Sequence, residues 1–278
     1  MRFELHCHST CSDGTEPPER VVARAGERGI EVFALTDHDT CAGSAIASAG
    51  AGRVGSRDGG TMRAIRAVEM SCDDDGRTVH VLAYDRGGDW ALLDDRLAAV
   101  RVARKNRLRT MAARLAQRGI HVDIETLLAE ADRRSVGRPD LARAMVASGA
   151  ASSMKDAFSR HLFDRGPVDV PHSALPLVDA IEVGRAAGAA MSLAHPHLYD
   201  ERSAPMLRRL KDAGLTGVEA FYGGYDARER ARWIKVADEL GLVCTGGSDW
   251  HGPEEAMAQP GVDFPADRSD ALLRWLDR

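Results

Sequence analysis

Short β-rich runs alternate with helical stretches along most of the chain. FELHCH (3–8) alternates apolar and polar positions and then turns polar, the pattern of a half-buried strand running out to a surface. VFALTD (32–37) is a second strand, and MRAIRAVEMSC (62–72) and TVHVLAY (78–84) read as two more, joined by the polar turn DDDGR. MSLAHP (191–196), GVEAFY (217–222) and VCTGGSD (243–249) bring the set to seven. Helical patterns lie between them. One covers 17–28, opened by Pro17 and Pro18 and closed by Gly29. Others cover 41–50, 175–187, 203–213 and 226–240, the last two stopped by Gly214 and Gly241. The stretch 50–61 is a glycine-rich loop. A βα rhythm of this kind predicts an α/β fold with mostly parallel strands wound into a barrel or open sheet. From 92 to 165 the rhythm gives way to helices alone, at 92–118, 123–133, 139–148 and 152–163. The expected organisation is therefore a barrel domain from 1–91 and 166–278, with 92–165 inserted as a helical cap domain.

Composition narrows the function classes. The chain has 278 residues, 44% hydrophobic and 28% charged, which is ordinary for a globular protein. No uncharged apolar run approaches the ~18 residues of a membrane span, and the first ten residues carry an acid and two histidines where a secretion leader is apolar. Five scattered cysteines with no CxxC pair argue for free thiols in a reducing compartment, and the expected location is the cytoplasm. The net charge of −5 excludes a general polyanion coat, so no stable binding of duplex nucleic acid is expected. No coiled-coil seam appears, which leaves the oligomeric state open.

The histidines change the picture. Six of the ten sit at or just past an expected strand. His6 and His8 are two apart, so both side chains face one side of a strand. Asp13 follows in an SDG turn. Asp37 and His38 end LTDHD. Glu69 interrupts the apolar run AIRAVEMS, where a carboxylate needs either a cation or a metal ion as partner. His80 interrupts TVHVLAY in the same way. His195 ends LAHP, and Asp249 and His251 end GGSDWH, again two apart. Each residue alone is a turn, a cap or a satisfied core polar group. Together, nine candidates (His6, His8, Asp13, His38, Glu69, His80, His195, Asp249 and His251) fall where barrels build their chemistry. Mixed imidazole and carboxylate donors suit Zn, Mn or Fe. Nine exceed the ~4 ligands of one structural zinc, so two or three divalent transition metal ions are expected, with Glu69 and Asp249 as bridges. Such ions would outweigh the three carboxylates and attract anions. A cluster that clamps phosphoryl oxygens and acidifies a bound water fits hydrolysis of a phosphate ester.

HCHSTCSDG (6–14), LTDHD (35–39), VEMS (68–71), VHVLAY (79–84), AHP (194–196) and GSDWH (247–251) resemble, in this order, the motifs of the PHP (polymerase and histidinol phosphatase) family. The resemblance implies a distorted seven-stranded (β/α) barrel and three ions. By motif, the first would be held by His6, His8, Glu69 and Asp249. The second would be held by Asp13, Glu69 and His80, and the third by His38, His195 and His251. Within the family the chain is most similar to a branch with a helical insert in this place. Its members remove the 3′-phosphate of nucleoside 3′,5′-bisphosphates and in some cases degrade short RNA from the 5′ end.

The insert segment RSVGRPDLARAMVASG (134–149) resembles that branch's SxGRPH segment. Pro139 at the first helical position would place Arg138 at a helix cap as a phosphate clamp, with Ser135 beside it. His172 matches a histidine that faces substrate. Two residues depart from the family: Glu4 stands where Asp is usual, and Asp140 where His is usual, which puts a negative charge near the clamp. Asp249 is the candidate proton acceptor, and Asp37 would orient a neighbouring ligand. Alternatives are a histidinol-phosphate-type phosphatase, a metal amidohydrolase and a catalytically silent metal-binding module. The amidohydrolase commonly needs a bridging lysine, and none of the four lysines ends an expected strand. The silent module would have lost ligands, whereas every position here is filled.

Overall fold

The computed structural model describes residues 1–51, 61–131, 134–171, 174–254 and 259–278. His172 and most of the glycine-rich loop 50–61 lie outside them. Among the described residues nine strands form one sheet: β1 (Arg2–Glu4), β2 (Val32–Leu35), β3 (Arg63–Asp74), β4 (Arg77–Tyr84), β5 (Leu175–Pro176), β6 (Ala190–Leu193), β7 (Gly217–Tyr222), β8 (Val243–Gly247) and β9 (Val262–Asp263). The seven expected strands are all present. The two additional ones, β5 and β9, are two residues each, too short to leave a periodic signature.

The order is β8-β7-β6-β4-β3-β2-β1-β9, with β5 beside β3. Pairing is parallel from β1 to β3 and from β6 to β8, and antiparallel on both sides of β4. The β3–β4 hairpin turns on Asp75 and Gly76, both at positive φ, as a two-residue hairpin turn of matching twist requires. Because β4 runs backwards, its beginning lies on the face where the parallel strands end. His80 therefore joins the site from the first half of its strand.

The sheet is nearly closed. Its seam is made less by strands than by the segments that follow β1 and β8. Leu5 N–H donates to Gly246 O at 3.3 Å, His8 N–H to Trp250 O at 2.8 Å and Asp249 N–H to His6 O at 2.7 Å. A side chain at Gly247 would collide with the His6 backbone, so only glycine permits this approach. Strand β1 itself ends at Glu4, earlier than the expected residue 8, because residues 5–8 pair with the post-β8 loop.

Helices α1 (Pro18–Glu27) and α2 (Ala42–Ala51) cover the first strands. In α1, Val21, Val22 and Ala25 form the buried stripe. Helices α7 (Leu177–Ala186), α8 (Ser203–Ala213), α9 (Ala227–Leu240) and α10 (Ala266–Leu276) cover the rest. The last was not expected from the sequence and buries Leu272, Trp275 and Leu276.

Between β4 and β5 lie α3 (Ala91–Ala116), α4 (Ile124–Glu130), α5 (Arg138–Ala147) and α6 (Met154–Arg160). They surround a hydrophobic core of their own, including Met111, Leu115, Leu141 and Met145. Helix α3 belongs to both cores: Leu93 and Leu97 pack in the barrel cluster, Leu108, Met111 and Leu115 in the second. Arg104, midway, fastens the two bodies. Its guanidinium reaches Asp39 Oδ2 (2.7 Å), Ser71 Oγ (2.6 Å) and Val136 O (3.1 Å).

Candidate metal centre and phosphoester site

All nine histidines and carboxylates converge at one end of the barrel. Glu69, inside β3 and 1% exposed, is the hub. Its Oε1 lies 3.3 Å from His6 Nε2, 3.0 Å from His80 Nδ1 and 3.1 Å from His195 Nε2. Its Oε2 lies 3.2 Å from His8 Nε2 and 3.0 Å from His38 Nδ1. Asp249 Oδ1 is 3.3 Å from both His6 Nε2 and His8 Nε2. Asp13 lies 3.4 Å from His251 Nε2 and 3.7 Å from His38 Nε2.

These side chains group differently from the division implied by motif. Asp13 sits with His8, His38 and His251, while His195 sits with His6 and Glu69 and 3.2 Å from His80. Asp13 thus lies beside His38 and His251 and His195 beside Glu69, while His38 also groups with Glu69 and His80. His195 is drawn to Glu69 because β6 adjoins β4. Asp13 is carried by the loop after β1 toward His38 and His251.

Charge and satisfaction both fit cations here. Five buried atoms of the cluster have no hydrogen-bond partner among the described residues: His6 Nε2, His8 Nε2, Asp13 Oδ1, His38 Nδ1 and Glu69 Oε2. Each orphan costs about 1–3 kcal/mol, and a shared cation removes the penalty for several at once. Burial opposes charge at His6, yet Glu219, Glu69 and Asp249 hold its pKa well above the ordinary value. His8 is likewise pushed up to about 10, against burial, by Asp249 and Glu69. Burial also disfavours the charged forms of Asp13, Glu69 and Asp249, but the surrounding imidazoles hold all three well below the carboxylate range. At His38 burial prevails and its pKa falls. His195 and Asp249 both adopt positive φ, backbone strain of the sort found where a site dictates geometry.

A second layer orients the cluster. Asp37 accepts from Ser9 N–H (2.8 Å), Ser9 Oγ (2.8 Å) and Ser12 Oγ (2.7 Å), and Ser12 Oγ lies 3.4 Å from His8 Nδ1. Glu4 Oε1 accepts from the backbones of His6 and Ser248, and Oε2 from Ser248 Oγ and Gly261 N–H. It fixes both ends of the seam rather than touching a candidate ligand side chain. Tyr199 Oη accepts from His80 N–H at 2.8 Å and lies 3.3 Å from His195 Nδ1. Tyr222 Oη donates to Asp249 Oδ2 at 3.1 Å. Glu219 is fully buried on β7 and holds His6 Nδ1 at 3.0 Å and His195 N–H at 2.6 Å. Sequence reasoning missed Glu219, Tyr199, Tyr222 and Arg104. Only Glu219 carried a signal: a carboxylate inside the apolar run GVEAFY, the same signature that marked Glu69.

Beside the cluster a cavity of about 340 Å³ opens between barrel and insert. Asp13, His38, His80 and His195 form one wall; Ser135, Arg138, Arg104 and Arg107 face it. Ser135 is 2% exposed and its Oγ has no partner among the described residues. Arg138 differs from expectation. Gly137 is the cap of α5 and Arg138 its first residue, with its guanidinium on Leu162 O (3.2 Å) and the exposed Asp164. Asp140, the departure in this segment, is already neutralised: Oδ2 accepts from Gly137 N–H at 2.8 Å and Oδ1 from Arg134 at 2.6 Å. It caps the helix and ties down Arg134 instead of repelling an anion.

Comparison with known proteins agrees with this geometry. The PHP domain model matches residues 4–121. The 3′,5′-nucleoside bisphosphate phosphatase of Chromobacterium violaceum is 32% identical over 257 residues, covering 91% of this chain and 88% of that one. The chain belongs to the PHP family. The phosphoribosyl 1,2-cyclic phosphate 1,2-diphosphodiesterase of Eggerthella lenta is also 32% identical, over 96% of this chain and 100% of that one. A metal-dependent phosphoesterase structure from Bifidobacterium adolescentis superposes with a TM-score of 0.85 at 28% identity, covering 98% of this chain and 96% of that one. This PHP protein is a metal-dependent phosphoesterase with a barrel-like α/β fold. Among its described residues no helix is long and apolar enough to cross a membrane.

Proposed function

We propose that the enzyme removes the 3′-phosphate of nucleoside 3′,5′-bisphosphates and also acts on short RNA from the 5′ end. One observation carries the reading: a single cavity of about 340 Å³ joins the histidine–carboxylate wall to a wall of guanidiniums. That volume is at the small end of ligand sites and suits a nucleotide. A guanidinium wall opposite one that bound ions would make cationic suits a ligand with more than one anionic group.

Two or three Mn, Fe or Zn ions would be held by His6, His8, Glu69 and Asp249, by Glu69, His80 and His195, and by Asp13, His38 and His251. Bound there, the ions supply Lewis-acid stabilisation of the phosphoryl oxygens and an acidified water. Asp249 is assigned as acceptor of the water proton, steadied by the Tyr222 hydroxyl on Oδ2. Ser135 and Arg138 are assigned to the substrate phosphates, with His172 as a further contact. Arg138 can leave Asp164 for a phosphate at small cost, because Asp164 is 80% exposed. Residues 92–165 act as a cap domain that supplies this second wall. The free state of all five cysteines accords with assignment to the cytoplasm.

The test is turnover with Mn(II) on adenosine 3′,5′-bisphosphate, a ribose cyclic phosphate, histidinol phosphate and a 5′-phosphorylated dinucleotide. The highest kcat/KM is expected on the bisphosphate. A preference for histidinol phosphate or the cyclic phosphate would overturn the assignment.

A further inference from the structure

Among the described residues four arginines line the cavity, and three of these already have partners. Arg104 holds Asp39, Ser71 and Val136 O. Arg107 holds Asp169 and Val170 O, and Arg138 holds Leu162 O and Asp164. Arg202 lines the same cavity, and among the described residues its guanidinium has no hydrogen-bond or ion-pair partner. It is also the only one of the four on the barrel side. It ends the 3-10 segment Pro196–Arg202 that begins directly after His195.

That segment is anchored at both ends. Leu198 N–H donates to His195 O at 3.0 Å, and Ser203 Oγ donates to Pro196 O at 2.6 Å. Residues three apart in a 3-10 turn stack on one side. Tyr199 is 4% exposed and turned toward His80 and His195, so Arg202 stands on the same side one turn above it. The backbone that carries Arg202 is therefore set one turn from a buried tyrosine that also touches the histidine cluster.

We propose that Arg202 is the specificity-determining cation of the site: it receives the phosphate that is not cleaved while the scissile phosphate lies against the histidine–carboxylate wall. A guanidinium suits the task because its planar fork matches two phosphate oxygens. The inference rests on the bisphosphate reading above. It goes beyond it by assigning the discrimination between doubly and singly phosphorylated nucleotides to one side chain outside the insert. Arg138 and Arg202 then grip the substrate from opposite sides of the cavity.

Two readouts test it. In the first, Arg202→Gln and Arg202→Lys are assayed with Mn(II) on adenosine 3′,5′-bisphosphate and adenosine 3′-monophosphate. The ratio of the two kcat/KM values should fall about 10- to 100-fold in the glutamine variant, the scale of a hydrogen bond to a charged group, and chiefly through KM. Lysine should restore part of it. In the second, calorimetry measures binding of the same two nucleotides to the metal-free proteins. The wild type should favour the bisphosphate and Arg202→Gln should lose that preference. A wild type that binds both alike, or a glutamine variant that keeps the wild-type ratio, overturns the proposal. If the wild type turns over neither nucleotide, the bisphosphate reading fails and takes this proposal with it; a wild type that prefers the bisphosphate beside a glutamine variant with the same ratio overturns this proposal alone.

Discussion

Glu219 Oε1 lies 3.0 Å from Nδ1 of His6, while Nε2 of the same ring faces Glu69 and Asp249. A buried carboxylate on the far nitrogen fixes the tautomer and aims the near one at a cation. The second oxygen of Glu219 holds the His195 backbone, so one side chain sets two candidate ligands. Glu219→Gln keeps the shape and removes the charge. Its affinity for Mn(II), measured by competition with a chromogenic chelator, is expected to fall about 10- to 100-fold. Wild-type affinity would show that Glu219 serves packing alone.

Arg104 couples insert and barrel through three hydrogen bonds, one to Asp39, a fully buried carboxylate. Arg104→Met leaves that charge without its cation. Breaking a buried pair from one side costs about 3–5 kcal/mol, and Asp39 keeps Ser71 N–H as partial compensation. A loss near the lower figure, about 3 kcal/mol, is expected in urea unfolding. Restoration by the double variant Arg104→Met, Asp39→Asn would tie the loss to the pair.

If Arg138 holds a substrate phosphate as proposed, Asp164 competes with that phosphate for the guanidinium. The acid is 80% exposed, so Asp164→Ala should leave the melting temperature unchanged while releasing the guanidinium. KM for a phosphorylated substrate should drop about two- to fivefold, the scale of an exposed ion pair, with kcat little altered. A rise in KM would mean that Asp164 orients Arg138.

Cations should stabilise the folded chain, since the cluster gathers carboxylates and orphaned imidazole nitrogens. At a hundred times the dissociation constant a bound ion adds about 2.7 kcal/mol. Mn(II) should raise the melting temperature of chelator-treated protein, and His8→Ala should blunt that rise. Equal shifts in both proteins would place the binding elsewhere.

Much of this site is legible in the sequence because its residues break local rules. Glu69 and His80 stand inside apolar strands, and His6/His8 and Asp249/His251 repeat at the spacing of a strand face. Glu219 broke the rule in the same way within GVEAFY, and weighing it as Glu69 was weighed would have found it. Arg104 and Arg202 left no such trace, for in an arginine-rich chain a guanidinium with three partners and one with none among the described residues read alike. The grouping of Asp13 with His38 and His251, and of His195 with Glu69, depends on strand neighbours and loop paths, which motif order does not encode. The Gly137 cap was hidden because Pro139 is tolerated at either of the first two helical positions, here the second. Asp140 looked like a repulsive charge because its partners, Gly137 N–H and Arg134, are set by a helix start that the sequence places one residue late.

The hydrogen bonds from Leu5, His8 and Asp249 across the closing edge of the sheet have a consequence for biosynthesis. The stave that completes the barrel and the last candidate ligands arrive together, more than two hundred residues after His6 and His8 leave the ribosome. A nascent chain therefore displays at most a fragment of the donor set. Full-strength capture of an ion at this cluster would wait for the segment after β8, and would coincide with the step that locks that segment against the one after β1.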